Sequence, residues 1–326
     1  MHSPKISILV PVYGVAPFIE KCARSLFEQS YDNIEYIFVN DCTPDDSMEI
    51  VERTLTDYPI RVQAYHRIDH PKNVGLASTR NTLLAHATGD YFIFIDSDDW
   101  VDLQMVEKFV ENIQKNTPDI IICQYYKVFT DHKEPFFESF SNNKMQRMRD
   151  IISMKQSPYI VKIMIHQKFQ HLIRLTPGIN AGEDYIYSVK LFNLVENFSV
   201  IDFPLYYYVQ YNNNSYSKLS LQNIEDRLAA IAEVERYSHE KGFYNDVVNE
   251  INERKFIIKK DFLLHPVYKD YQRWADTYPE SNTSWRHLHF RIDYRLIFWL
   301  AEKHCFWLID KILTCKRMLK KFKSTG

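Results

Sequence analysis

The chain of 326 residues lacks several short sequence motifs from which a binding site or an enzyme class is commonly recognised. No G-x-G-x-x-G sequence follows the first predicted strand, and no G-x-x-x-x-G-K-[ST] sequence occurs anywhere, which argues against a dinucleotide site and a P-loop. The twelve histidines form no H-E-x-x-H motif, so a zinc-protease site is not indicated. No apolar run reaches the length of about 18 residues that a membrane-spanning helix needs.

Cysteine usage points to a reducing compartment. The five cysteines are an odd number without C-x-x-C spacing, and this favours free, buried thiols in the cytoplasm. Residues 1–5 lead straight into an apolar strand, so we also expect no signal peptide.

Charge is unevenly distributed along the chain. The net charge is −2, but residues 303–326 carry seven Lys or Arg and one Asp, so the first 302 residues carry −8. An acidic main body argues against nucleic acid as a partner. Hydrophobic residues make up 45% and charged residues 25% of the chain, which is typical of a soluble globular protein with one large domain or two smaller ones.

The first hundred residues alternate between apolar runs and amphipathic segments. This alternation predicts an α/β fold, a doubly wound and mostly parallel sheet. The predicted strands are residues 6–13, 34–39, 60–66 and 91–95, and the predicted helices are residues 17–29, 48–56 and the end of 73–86.

An acidic stretch directly follows the fourth predicted strand. Residues 91–95 are continuously apolar, as in a strand buried on both faces, and Asp96, Ser97, Asp98 and Asp99 come next. Ligands of open α/β sheets bind beyond the carboxyl ends of the strands, and clustered carboxylates there suit Mg²⁺ or Mn²⁺. The alternative is a surface turn, because Asp and Ser are common turn residues.

Two more polar residues are expected near the same edge. Asp41 ends the second strand, and Arg80 follows Asn73-Val74-Gly75, where its guanidinium suits a phosphate or a base carbonyl. The alternatives are a helix cap for Asp41 and a surface ion pair for Arg80.

Taken together, these segments resemble the family 2 glycosyltransferases, which are inverting enzymes of the Rossmann-like GT-A fold that use nucleotide sugars. The resemblance is continuous over about residues 5–102. The segments that carry it are Ile8-Leu9-Val10-Pro11-Val12-Tyr13, Val39-Asn40-Asp41, Asn73-Val74-Gly75-Leu76-Ala77 with Arg80-Asn81, and Asp96-Ser97-Asp98-Asp99.

The resemblance implies roles for individual residues. Asp98 would hold a Mn²⁺ or Mg²⁺ ion that bridges the diphosphate, and Asp96 would contact the ribose or the sugar. Asp41 would bind the uracil of a UDP-sugar, with Tyr13 against the base. Arg80 would help to hold the nucleotide. The remaining candidates in the donor motifs are Pro11, Asn73, Gly75, Ser97 and Asp99.

On the acceptor side, Gly182-Glu183-Asp184 resembles the family's motif that carries the catalytic base. Asp184 would be the general base, with Glu183 as the alternative. Acids in a first helical turn also complement the helix dipole, which is the purely structural interpretation. Ser215 resembles a serine in the family's donor-side loop, although Gln210 stands near where relatives often have Arg or His.

The predicted organisation is a glycosyltransferase domain, 1–218, with a nucleotide-binding half, 1–102, and an acceptor half, 103–218. A helical region, 219–326, follows and ends in a basic amphipathic tail. The tail either packs on the domain or lies on an anionic membrane surface through residues 296–323, which would make the enzyme peripheral on the inner face of the membrane.

The predicted function is sugar transfer to a hydroxyl of a glycan or lipid-linked acceptor in cell-surface polysaccharide synthesis. A catalytically silent binding subunit of a glycan assembly complex is the rival from another class. A sugar-nucleotide pyrophosphorylase would need a Gly-rich basic loop after the first strand, where this chain has Pro11-Val12-Tyr13-Gly14.

Overall fold

The computed structural model describes residues 3–212 and 220–324, with side chains described through Lys316. It divides into two compact units, residues 1–237 and residues 238–326. The division falls inside a helix, Leu221–Glu240. The domain boundary predicted after residue 218 stays a prediction.

A mixed sheet of nine strands organises the first unit. The strand order is β3-β2-β1-β4-β8-β6-β9-β5, and β7 pairs with β6. The strands are β1 (Ile6–Val12), β2 (Ile34–Asn40), β3 (Tyr65–Asp69), β4 (Tyr91–Phe94), β5 (Trp100–Val101), β6 (Ile120–Val128), β7 (Lys133–Phe136), β8 (Ile163–His166) and β9 (Phe198–Val209).

The parallel part of this sheet lies within residues 1–102, for which the sequence predicted a parallel sheet. β3, β2, β1 and β4 are parallel neighbours, and every residue of β1 and β4 is buried. Their carboxyl ends therefore meet at one edge. Beyond β4 the sheet becomes mixed, because β8 is antiparallel to both β4 and β6.

Helices connect the strands of this unit, and the alternation confirms the predicted α/β class. Apolar residues recur on one face of α1, where Ile19, Cys22, Ala23 and Leu26 are buried. The helices are α1 (Ala16–Phe27), α2 (Ser47–Leu55), α3 (Leu76–His86), α4 (Met105–Asn116), α5 (Lys144–Ile152), α6 (Glu183–Leu194) and α7 (Leu221–Glu240).

The predicted third strand was placed too early. Residues Pro59–Ala64 form a 3₁₀ helix, and β3 begins only at Tyr65. Ile60 and Val62 are 80% and 50% exposed, whereas the intervening Arg61 is buried. Arg61 donates hydrogen bonds to the carbonyls of Phe27, the last residue of α1, and Gln29, and those acceptors outweigh the local strand propensity.

Residues 130–160 are also more ordered than the sequence suggested. They contain the edge strand β7 and the helix α5, where only a polar, loop-rich segment was expected. All four residues of β7 are exposed, so the strand carries no buried face that periodicity could reveal.

The second unit is helical, which confirms a C-terminal helical region. Its core includes an edge-to-face pair of Phe256 and Phe298, with ring centroids 4.9 Å apart. Its helices are α8 (Tyr244–Lys259), α9 (Asp261–Leu264), α10 (Tyr271–Asp276), α11 (Ile292–Glu302) and α12 (Phe306–Ser324). None of the helices in the described part of the chain has both the length and the apolar content that a bilayer crossing requires.

Candidate active site

Three carboxylates gather in the turn after β4. One oxygen from each of Asp96, Asp98 and Asp99 lies within 4.8 Å of the others. The Asp99 amide donates to the Asp96 carbonyl at 3.0 Å, and this turn folds the acids toward one another. Like charges at this spacing repel one another, and a cation beside the cluster would relieve that repulsion.

The three acids differ in their environments. Asp99 is 1% exposed, and it accepts hydrogen bonds from the Tyr206 hydroxyl at 2.6 Å and the Val209 amide at 2.7 Å. It therefore ties the turn to β9. Asp98 is half-buried, and its Oδ2 accepts from the Asn212 amide at 2.7 Å.

Burial first, and then the Asp96 charge, raises the pKa of Asp98 to about 6. The positive charge near Asp98 does not offset this rise. A cation bound beside Asp98 would lower its pKa and keep the carboxylate ionised. The donor set consists of hard oxygen ligands, which fits a divalent metal, and Asp98 and Asp96 are the two acids that the hydrogen bonds to β9 do not occupy.

Arg80, on α3, joins this cluster to the head of α6. Its guanidinium is 1% exposed and donates to Asp96 at 2.7 Å, to Glu183 at 2.9 Å and to Asp184. Burial alone would lower the pKa of Arg80, but the carboxylates of Asp184, Asp96 and Glu183 raise it. One guanidinium thus holds acids that are 16, 103 and 104 positions away in sequence.

The two acids of α6 are not equivalent. Glu183 Oε2 accepts from the Gly182 amide at 3.0 Å, and its side chain is 8% exposed, against 18% for Asp184. Burial first, and then the charge of its neighbour, raises the pKa of Glu183. Burial also raises the pKa of Asp184, while Arg80 opposes the rise. Asp184 is the more accessible proton acceptor.

Gly182 allows α6 to begin at this position. Its φ is +117°, and a Cβ on it would lie 2.9 Å from the Cβ of Ala230. Both the conformation and the close approach require glycine. The sequence identified the Gly-Glu-Asp motif, but only the packing of α6 against α7 explains its first residue.

Asp41 lies at the end of β2 and is 3% exposed. Its carboxylate accepts hydrogen bonds from the amides of Val74 and Gly75, both at 2.9 Å, and lies 2.8 Å from Nδ1 of His70. It therefore holds the loop that leads into α3. Gly75 has a φ of +86°, and a Cβ on it would lie 2.7 Å from the Asn180 side chain. The role of Asp41 toward a uracil base stays a prediction.

The remaining predicted donor residues lie at the same sheet edge or in the α3 loop. Tyr13 follows β1 and is 48% exposed, whereas Pro11 and Ser97 are buried. Asn73 is exposed beside Val74. Ser215 lies outside the described residues. Sequence reasoning missed Asn212 and Tyr206, which bind Asp98 and Asp99, because their signal was only a Tyr-rich strand and an Asn-rich loop.

Known proteins resemble this chain in sequence. The family described as Glycosyl transferase family 2 matches residues 7–174. The chain is 31% identical over 251 residues to EpsJ of Bacillus subtilis, described as an uncharacterized glycosyltransferase, and the match covers 74% of this chain and 70% of EpsJ. It is 32% identical over 157 residues to the glycosyltransferase GlyA of Streptococcus pneumoniae, covering 48% of this chain and 22% of GlyA.

Solved structures share the fold. S. aureus TarS 1-349 in complex with UDP-GlcNAc aligns with a TM-score of 0.70 at 18% identity, over 96% of this chain and 92% of that one. The mannosyltransferase PcManGT from Pyrobaculum calidifontis, in complex with GDP-Man and Mn²⁺, aligns with a TM-score of 0.56 at 13% identity, over 96% and 84%. The chain has the GT-A fold and belongs to glycosyl transferase family 2. It is therefore a glycosyltransferase.

Proposed function

We propose that the protein transfers a sugar from a UDP-sugar, with inversion, to a hydroxyl of a glycan or lipid-linked acceptor in cell-surface polysaccharide synthesis. The observation that carries the proposal is the Arg80 bridge, because it places the acidic turn after β4 and the acids of α6 in one site. The UDP-GlcNAc complex of TarS, which shares the fold, supports a UDP-sugar as the donor.

On the donor side, Asp98 is the residue that would hold a metal ion, and Asp96 beside it would contact the ribose or the sugar. A Mn²⁺ or Mg²⁺ there would offset the negative charge that develops on the departing diphosphate. Tyr13 is exposed enough to lie against a base, and Asp41 holds the loop that leads into α3. Pro11, Asn73, Gly75 and Ser97 would contribute the rest of the donor site.

On the acceptor side, Asp184 takes the proton of the attacking hydroxyl. Its Oδ1 accepts from Arg80, and the backbone of Ile160 also donates to the carboxylate, so that two contacts orient it. A positioned base contributes roughly 10²–10⁴-fold to the rate of such a step. Glu183, folded back on the Gly182 amide, is the weaker candidate.

Calorimetric titration of UDP tests the donor side. Asp98→Asn should abolish the dependence of UDP affinity on Mn²⁺, while the matched control Asp102→Asn, four residues further along, keeps it. Equal affinities of wild type and Asp98→Asn, with and without Mn²⁺, would remove the metal assignment. A screen of UDP-sugars for hydrolysis then separates enzyme from binding subunit, since a silent subunit binds a donor without turning it over.

We also propose that α11 and α12 contact an anionic membrane surface. Ile292, Leu296 and Trp299 are 86%, 49% and 46% exposed and follow one helix face at i, i+4 and i+7. Trp307 on α12 is 61% exposed. Exposed Trp beside lysines is typical of interfacial helices.

Sedimentation with anionic liposomes at low salt tests this contact. Truncation of the tail would also remove buried core residues such as Phe298. Substitution of Trp299 and Trp307 by Ser is the cleaner test and should release the protein. Phe203→Ser, which alters a 57% exposed aromatic residue of the first unit, is the control and should not. Equal sedimentation of all three proteins would refute the proposal.

A further inference from the structure

Two tyrosine rings meet on the face of the sheet that also carries Tyr206. Tyr208 lies two residues beyond Tyr206 on β9, so both side chains point to the same face, and the Tyr206 hydroxyl donates to Asp99. Tyr159 precedes the 3₁₀ turn Ile160–Lys162. The centroids of the Tyr159 and Tyr208 rings are 5.2 Å apart, at an interplanar angle of 54°. We call these two residues the tyrosine pair.

The tyrosine pair adjoins both groups of acids in the candidate active site. The 3₁₀ turn that follows Tyr159 packs against α6 and β9, and the backbone amide of Ile160 donates a hydrogen bond to the Asp184 carboxylate. The residue after Tyr208 donates its backbone amide to Asp99. The pair therefore connects the surroundings of the proposed base with those of the acidic turn.

The negative charge of these acids reaches both phenol groups. Burial first, and then the charge of Asp184, raises the pKa of Tyr159. Burial first, and then Tyr159 and Asp99, raises the pKa of Tyr208. Both hydroxyls therefore keep their protons at neutral pH, and each can donate one hydrogen bond and accept others.

The protein itself makes no use of these two hydroxyls. Among the described residues, none forms a hydrogen bond with the phenol oxygen of Tyr159 or Tyr208, and both side chains are only half-buried. The Tyr187 hydroxyl also lacks a partner, but Tyr187 is completely buried, out of reach of a ligand. Phenylalanine would pack as well as Tyr159 and Tyr208, because ring packing does not need the oxygen. The two hydroxyls are therefore available to a molecule in the active site.

We propose that Tyr159 and Tyr208 bind the acceptor sugar, each donating a hydrogen bond to an oxygen of the ring whose hydroxyl attacks. An uncharged ring fits this place, because the neighbouring acids repel an anionic group, whereas hydroxyl and ring oxygens accept hydrogen bonds from phenols. The pair would determine which hydroxyl of the ring faces Asp184. The assignment of the bound sugar as the acceptor rests on the proposed function.

Steady-state release of UDP, with a donor taken from the hydrolysis screen, tests this assignment. The acceptor probes are methyl β-D-glucoside, methyl β-D-galactoside and methyl N-acetyl-β-D-glucosaminide, with methyl β-D-glucuronide as the anionic comparison. At least one neutral glycoside should accelerate UDP release by the wild type. Tyr159→Phe and Tyr208→Phe remove only a hydroxyl, and each should raise the KM for that glycoside by about threefold to tenfold, the scale of one hydrogen bond. UDP affinity and hydrolysis without glycoside should not change.

Tyr207→Phe is the matched control. It removes the same atom from the adjacent residue of β9, whose side chain points to the opposite face, and it should leave the KM unchanged. An unchanged KM in both Tyr159→Phe and Tyr208→Phe would overturn the proposal, as would an equal increase in Tyr207→Phe. So would faster transfer to the glucuronide than to every neutral glycoside, or a wild type that no neutral glycoside accelerates. Weaker UDP binding in the Tyr159 and Tyr208 variants would assign the pair to the donor instead.

The failure of this proposal differs from the failure of the proposed function. If the wild type binds UDP and hydrolyses a UDP-sugar but its KM for glycosides does not depend on Tyr159 and Tyr208, the tyrosine pair alone is refuted. If the wild type neither binds UDP nor hydrolyses any UDP-sugar, the proposed function is refuted.

Discussion

Each unit of the molecule buries cationic side chains, and two of these, Arg80 and Lys259, one from each unit, have different kinds of partner. Arg80 in the first unit is 1% exposed and is surrounded by the carboxylates of Asp96, Glu183 and Asp184. Lys259 in the second unit is 0% exposed and donates to the carbonyls of Thr277 and Tyr278 and to the side-chain oxygen of Asn282.

This difference distinguishes the Arg80 cluster, which has the charge of a functional site, from the Lys259 contacts, which are structural. Neutral oxygens satisfy the Lys259 ammonium without adding charge, and they fix the short segment that follows α10. Three acids around one guanidinium leave an excess of negative charge, which is costly for stability alone. This excess negative charge can bind a cation and accept a proton. The cluster around Arg80 costs more stability than the Lys259 contacts, but it is the one suited to catalysis.

The largest effect is expected from Asp184→Asn. The amide keeps an oxygen for the Arg80 bond but cannot take a proton, so kcat should fall by roughly 10²–10⁴-fold. Donor affinity should stay near wild type. Steady-state kinetics with a donor from the hydrolysis screen measures both. A loss within about tenfold, together with a larger loss in Glu183→Gln, would transfer the role of base to Glu183.

The next largest effect concerns stability. Arg80→Met leaves the buried Glu183 and the half-buried Asp96 and Asp184 without their cation. It should lower the free energy of unfolding by about 3–5 kcal/mol. Denaturant unfolding measures the change, and Arg80→Lys, which keeps one charge, should lose less. If Arg80→Met is as stable as wild type, the acids are not held by this ion pair and the comparison with Lys259 fails.

Lys259→Met should have a smaller effect. This substitution leaves neutral oxygens without a partner, whereas Arg80→Met leaves carboxylates without one. It should therefore lower the free energy of unfolding by only about 1–3 kcal/mol. It should not change UDP affinity, whereas Arg80→Met should. A cost equal to that of Arg80→Met, measured by the same denaturant unfolding, would show that the charge of the partners does not decide the energetics.

The smallest effect is a pH dependence. Burial lowers the pKa of Lys259 to about 7, although Glu280 opposes the shift. From about pH 7 to 10 the unfolded chain holds a proton that the folded chain has released, so stability should rise with pH over this range. Melting temperatures across this range should show a steeper rise for wild type than for Lys259→Met. Parallel curves would mean that Lys259 stays charged when folded.

Local patterns predicted the parallel half of the sheet well. A short apolar run that ends in acids, as at residues 91–99, reads directly as a buried strand with a polar terminus, because burial on both faces suppresses alternation. The same reasoning misplaced β3, since the exposed Ile60 and Val62 looked like strand residues. It also missed β7, whose four exposed residues have no apolar face.

The sequence by itself determined the alternation of strands and helices up to residue 95, the acidic turn and the family resemblance, because these depend on residues within a few positions of one another. Tertiary structure decided that Arg80 binds acids 16 to 104 positions away rather than standing alone at the edge. It also decided that the rings of Tyr159 and Tyr208 meet on the face that carries Tyr206. Such contacts depend on sheet order and strand register, which are set by the packing of the whole unit and not by any one segment.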